Sequence, residues 1–205
     1  MERYLSRDEV RSYRNLFDQM IHLVAEEMKK YGITFFCRLV GSAKRNLVIY
    51  HPTKGVDCDY QIVLLKYDHE MPPSEIKRLF QKTFNKYRPY ECSPCEDSTS
   101  ALTMKNIDKQ NSRIIFSYDI VILRINDGIP EIIRRPQNNI YVWNQLKSLS
   151  DFHERYSLIV GQVMWEELKA RYLKKKIRQM NGDDSKKSFQ LLNEAVNETL
   201  QYFEQ

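Results

Sequence analysis

Val56-Asp57-Cys58-Asp59-Tyr60-Gln61-Ile62-Val63-Leu64-Leu65 is the stretch on which the reading of this chain turns. Its second half is an unbroken apolar run, the pattern of a strand buried inside a sheet. In its first half Asp57 and Asp59 stand two residues apart, so on a strand both carboxylates leave one face while Cys58 and Tyr60 leave the other. Two carboxylates aimed into one space repel each other unless a cation lies between them. Hard oxygen donors of this kind suit Mg²⁺ shared with the phosphates of a nucleotide. An Asp-x-Asp pair alone is a weak pattern, however, and more often describes a strand end facing water.

A second stretch bears on that choice. Asp119 interrupts Ile114-Ile115-Phe116-Ser117-Tyr118-Asp119-Ile120-Val121-Ile122-Leu123, an apolar run of central-strand type. A buried carboxylate is expensive unless something compensates it. A metal shared with Asp57 and Asp59 would do so, as two-metal phosphoryl-transfer sites require. A Lys or Arg partner, or exposure at a sheet edge, are the alternatives. Upstream, Ile33 to Val40 reads as a strand ending at Gly41-Ser42, with a helix-prone stretch from Ala43 to Val48 behind it. Gly41 lets the backbone approach a ligand, Ser42 opens a helix whose free N–H groups favour phosphate, and Lys44 and Arg45 add positive charge.

Taken together, Leu39-Val40-Gly41-Ser42, then Asp57-Cys58-Asp59-Tyr60 fifteen positions after Ser42, then Asp119 in a later apolar strand resemble the signature of the DNA polymerase β-like nucleotidyltransferase superfamily. The gap is slightly long for that pattern, and the polar link from Tyr50 to Gly55 accommodates the difference. The resemblance implies an α+β fold: a nucleotidyltransferase-type mixed β-sheet flanked by helices, with the core covering about Tyr13 to Leu123. It implies that Asp57, Asp59 and Asp119 are the catalytic, metal-holding carboxylates, with Asp119 helping to activate an acceptor hydroxyl. Gly41, Ser42, Lys44 and Arg45 become the nucleotide-binding residues. The implied cofactor is Mg²⁺, with Mn²⁺ as its substitute, and the implied substrate is an NTP, ATP first. The acceptor would attack the α-phosphorus and release pyrophosphate, a chemistry that needs positioning and charge neutralisation rather than a protein nucleophile.

Working outward, Ser6 and Glu9 form a capping box, and apolar residues from Val10 to Met28 recur at helical spacing until Gly32. After Pro72-Pro73, Ser74 is placed to cap a helix reaching about Tyr87, with Ile76, Leu79, Phe80 and Phe84 on one face. Thr99 to Ile107 and Arg113 to Ile125 read as an antiparallel hairpin, and Ile129 to Arg134 as one further short strand. From about Asp151 the pattern is helical, broken at Asn181-Gly182-Asp183-Asp184 into two helices. The expected division is residues 1–135 as the core with its N-terminal helix and 136–205 as a C-terminal helical region.

With 205 residues, 42% of them hydrophobic, and only 6 Gly and 7 Pro, the chain is long and apolar enough to bury a core. The net charge of +5 suits an anionic ligand but is small for gripping long nucleic acid by charge alone. No stretch approaches the ~20 apolar residues of a membrane span, so a cytoplasmic protein without a membrane partner is expected. Cys92-Ser-Pro-Cys95 lacks the two further ligands a structural zinc site needs. Lys169 to Arg178 is a basic helix that could line a groove for RNA or phosphates, or simply form a solvated face. Tyr141 and Trp143 read as core packing rather than base-stacking residues, and His153 as a surface residue. The acceptor is left open among an RNA 3′ end, a second nucleotide, a protein hydroxyl and a small molecule. Two competing readings are an inactive nucleotide- or RNA-binding module of the same fold and a regulatory toxin–antitoxin or antiphage partner protein. Metal-dependent turnover separates the first reading from both.

Overall fold

The computed structural model describes residues 2–136 and 140–204. It divides into two compact units, one spanning Leu5–Leu146 and the other joining Met1–Tyr4 to Lys147–Gln205.

The larger unit begins with α1 (Arg7–Lys29), started by the capping box seen in the sequence: Glu9 N–H donates to Ser6 Oγ (3.2 Å) and Ser6 N–H to Glu9 Oε2 (2.9 Å). Its apolar stripe buries Val10, Phe17, Met20, Val24 and Met28. Then follow β1 (Thr34–Leu39), the single-turn α2 (Gly41–Arg45), β2 (Val56–Lys66), α3 (Pro73–Tyr87), β3 (Glu96–Asp97), β4 (Leu102–Asp108), β5 (Arg113–Asn126), β6 (Ile129–Arg134) and β7 (Val142–Gln145). Among the described residues these strands form one seven-stranded sheet in the order β1-β2-β5-β4-β3, with β6 on β5 and β7 on β6. The β2–β5 pair is parallel and the other pairs are antiparallel, giving the mixed sheet expected.

Helices α1 and α3 pack on each other and cover one face of the sheet. The Phe17 ring stacks on Tyr60 with centroids 3.5 Å apart, Tyr118 Oη donates to the Tyr13 carbonyl (2.6 Å), and Phe80 meets Phe35 edge-on at 5.2 Å. Phe17, Phe80, Phe84 and Tyr118 are fully enclosed, and truncating a ring of this kind to alanine typically costs about 3–5 kcal/mol. Cys92 and Cys95 are both buried, in the same core as these rings. Tyr141 and Trp143 pack against its edge, where the Arg124 guanidinium lies 4.6 Å from the Trp143 ring.

Some local expectations are corrected. Ser74 does not cap α3: Pro72 occupies the N-cap and Pro73 the first turn, where a missing N–H costs nothing. The five-residue helix at 41–45 starts earlier than the sequence pattern indicated and stops at Asn46, which takes a left-handed conformation. Strand β7 was not read from the sequence.

The smaller unit contains α4 (Ser150–Ile159), α5 (Met164–Asn181) and α6 (Ser188–Phe203). The break at Gly182 is present, with that residue at positive φ as the C-cap of α5. A second break at Gly161, also at positive φ, splits the tail into three helices instead of the two expected. Phe152 of α4 meets Phe189 of α6 at 4.8 Å, and Leu168, Tyr172, Leu191, Ala195 and Val196 form the buried seam.

Candidate active site

The face of the sheet opposite α1 and α3 carries the acidic residues. Along β2, Val56, Cys58 and Tyr60 are buried, whereas Asp57 is exposed and Asp59 half-buried, which is the alternation a two-residue strand period demands. Burial, with Asp57 and Asp59 adding to it, pushes the Cys58 thiol up to about 12, so at neutral pH it is a protonated core residue. The parallel register sets Asp59 directly beside Asp119 and Asp57 beside Ser117. Ligand-capable oxygens of Asp57, Asp59 and Asp119 all lie within 4.8 Å of one another. Three hard anionic donors converging this closely have the chemistry that Mg²⁺ or Mn²⁺ coordination needs, and they are mutually repulsive without such an ion.

Two hydroxyls hold the cluster. Ser117 Oγ donates to Asp57 Oδ1 at 2.8 Å, and Thr103 Oγ1, from the neighbouring β4, donates to Asp119 Oδ1 at 2.5 Å. Asp119 is therefore half-buried and hydrogen-bonded, whereas its apolar neighbourhood in the sequence read as a fully buried strand. The run looked unbroken because Tyr118, Ile120 and Ile122 fill the covered face while Ser117, Asp119 and Val121 take the other. Neither Thr103 nor Ser117 was singled out from the sequence. Ser117 carried a usable signal, since it lies two residues before Asp119 and so on the same strand face. Thr103 carried none, because its place depends on the β4–β5 register.

The Gly41-Ser42 turn is pinned to this cluster by the Val40 N–H, which donates to the Asp59 carbonyl at 2.9 Å. Gly41 has φ +64°, and a Cβ built on it would fall 1.9 Å from Asp59 Oδ2. The close approach that requires glycine here is thus to a carboxylate of the site. Ser42 follows directly, Lys44 is exposed, and Arg45 turns back so that its Nη1 donates to the Gly41 carbonyl at 3.0 Å. The structure thus gathers Gly41, Asp57, Asp59 and Asp119 into one locus and leaves Lys44 and Arg45 on the turn that follows it.

Against solved structures the chain resembles DncV of Vibrio cholerae in its GTP-bound form, at a TM-score of 0.59 and 17% identity, over 95% of this chain and 52% of that one. The fold is of the nucleotidyltransferase type. A second neighbour, the CD-NTase CdnG of Bradyrhizobium diazoefficiens in complex with GTP, aligns at a TM-score of 0.56 and 11% identity over 87% of this chain and 49% of that one. DncV, a cyclic AMP-GMP synthase, is also similar as its complex with the linear intermediate 5′ pppA(3′,5′)pG, at a TM-score of 0.57 and 15% identity, over 80% of this chain and 44% of that one. The chain spans about half the length of these structures. No family model and no curated protein matches it. No helix among the described residues is long and apolar enough to cross a membrane.

Proposed function

We propose that this chain is a Mg²⁺-dependent nucleotidyltransferase that moves a nucleoside monophosphate from an NTP to an acceptor hydroxyl and releases pyrophosphate. The observation that carries the reading is the convergence of Asp57, Asp59 and Asp119 within 4.8 Å on the open face of a nucleotidyltransferase-type sheet. Asp57 and Asp59 would hold the divalent ion, which when bound supplies charge neutralisation for the triphosphate and the leaving pyrophosphate.

The protein's own part is positioning. The Gly41-Ser42 turn, tied through Val40 to Asp59, sets the backbone that meets the phosphates, with Lys44 and Arg45 adding positive charge behind it. Asp119 stands beside Asp59 with Oδ1 occupied by Thr103, which leaves Oδ2 to take the acceptor's proton. As that proton leaves, the acceptor oxygen bonds to the α-phosphorus and the bond from that phosphorus to the pyrophosphate oxygen breaks. The acceptor we favour is the hydroxyl of a second nucleotide, on the strength of the linear dinucleotide held by the similarly folded DncV. ATP is the first donor to try.

The deciding experiment supplies α-phosphate-labelled NTPs, singly and in pairs, with Mg²⁺ or Mn²⁺, and separately with RNA. Label transferred to a nucleotide, together with pyrophosphate release, is expected. Both should vanish with EDTA and in Asp57→Asn or Asp59→Asn, which keep side-chain volume while removing charge. Transfer that survives either substitution, or NTP binding with no transfer to any acceptor, would overturn the proposal.

A further inference from the structure

The basic stretch of α5, within the smaller unit, forms a cavity of its own. Within the helical unit, Glu167, Ala170, Arg171, Lys174, Lys175 and Arg178 of α5, with Glu198 of α6, line a groove of about 450 Å³. These α5 residues recur at three- and four-residue steps, so they form one stripe along the helix. Ala170, the small member, leaves the room. The volume lies within the ~300–1,000 Å³ usual for small-molecule sites.

The charges in the groove fall into two sets. Arg171 and Lys175 are fixed by carboxylates: Arg171 Nη2 lies 2.6 Å from Glu167 Oε1, and Lys175 Nζ lies 2.7 Å from Glu198 Oε1 and 3.5 Å from Glu194 Oε2. Lys174 and Arg178 are exposed and have no carboxylate within ion-pair distance among the described residues. In addition, Arg171 Nε is buried without a hydrogen-bond partner, a donor whose desolvation nothing offsets. Lys176, although part of the same basic run, is turned elsewhere, to Gln179 and Ser188.

We infer that this groove is a binding site for a small anion carrying two or more phosphoryl groups, engaged by Lys174 and Arg178 and by the prealigned Arg171 and Lys175. Lys174 and Arg178 are one helical turn apart, roughly 6 Å of rise, a span suited to linked phosphoryl groups rather than one phosphate. A long nucleic acid fits less well. Glu167, Glu194 and Glu198 pair with the groove's own Arg171 and Lys175, and Glu166 pairs with the neighbouring Lys169, so the basic run does not present an unbroken positive stripe along the surface.

The test measures binding by calorimetry in EDTA, where any metal-dependent triphosphate site is silent, so the outcome does not depend on the transferase reading. Tripolyphosphate, ATP, orthophosphate and a 20-nucleotide RNA are titrated into the full chain. Tripolyphosphate and ATP should bind at least tenfold more tightly than orthophosphate. The Lys174→Ala/Arg178→Ala double variant, altered only at exposed positions, should lose at least tenfold in tripolyphosphate affinity with an unchanged melting temperature. Glu198→Gln, which removes one of the two carboxylates on Lys175 and a negative charge from the groove lining, should tighten binding several-fold. Equal affinities for tripolyphosphate and ATP assign the site to a phosphoryl chain, and tighter ATP assigns it to a nucleotide; both support the inference. Wild-type tripolyphosphate affinity in the double variant overturns it, as does binding seen only with RNA.

Discussion

Replacing Gly41 with alanine applies two separable penalties. The first is conformational: at φ +64° a Cβ meets the backbone strain of the left-handed region, about 1–2 kcal/mol. The second is a collision. The new methyl would stand 1.9 Å from Asp59 Oδ2 and 2.8 Å from its Cγ, so the carboxylate must move by about 1 Å merely to reach the 3.0 Å below which real contacts are essentially never found. Strain alone should lower the melting temperature by several degrees, at about 2–4 °C per kcal/mol for a chain of this size. On the role proposed for Asp59, displacing its carboxylate by that distance should cost about a hundredfold in transfer rate, the scale attached to ångström misplacement at a reacting centre. Gly128→Ala is the matched control, because Gly128 has φ +80° and a methyl added there would have nothing within 4 Å. It should melt lower to a similar extent while keeping its activity. The assay is Mg²⁺-dependent pyrophosphate release, paired with a Mn²⁺ titration and a thermal melt. Were Gly41→Ala to transfer within threefold of the wild type, the close packing of the turn on Asp59 would not be what positions that carboxylate.

Asp119→Asn should keep NTP affinity within an order of magnitude but lower the transfer rate by roughly a hundredfold or more, as expected when a positioned base is lost; unfolding, with normal activity in the folded fraction, would make Asp119 a structural residue. Thr103→Val removes the donor to Asp119 and should reduce activity by about 10–100-fold, the range seen for groups that orient metal ligands, whereas Thr103→Ser should recover most of it. A serine variant as poor as the valine one would argue against the hydroxyl. Glu27 accepts from Lys30, Lys86 and Tyr87, which hold its carboxyl at about 2 against an ordinary 4.5. Because the folded value is depressed, that stabilisation is complete above the ordinary value and is lost as pH falls from about 4.5 toward 2. Glu27→Gln should flatten the acid limb of a stability–pH curve in that window, and an unchanged limb would remove Glu27 as a contributor.

The residues that could be read in advance were those whose signal is local. Ser6 and Glu9 specify a helix start within four positions, and the alternation through Asp57, Cys58 and Asp59 specifies which side chains share a face. What escaped depended on pairing across the fold. Thr103 reaches Asp119 only through the β4–β5 register, and the contact that makes Gly41 necessary comes from a strand that follows it in the chain. Pro73 displaced Ser74 as the helix start because Pro at the first helical turn and Ser at the cap compete for adjoining positions. Gly161 was passed over because the helical spacing on either side of it is continuous in composition.

The parallel pairing of β2 with β5 has a bearing on how preparations of this protein should be judged. Side chains alternate strictly along a strand, so a slip of one residue between β2 and β5 would send Asp119 to the face beneath α1 and bring Tyr118 out in its place. Such a slip would also expose Tyr118, Ile120 and Ile122, all buried in the core, so the register that builds the core is the register that brings the three acids together. On refolding, close packing of the Tyr60 and Tyr118 rings and assembly of the acidic trio should therefore return in step, and a batch with full helicity but a loosened aromatic core should lack both.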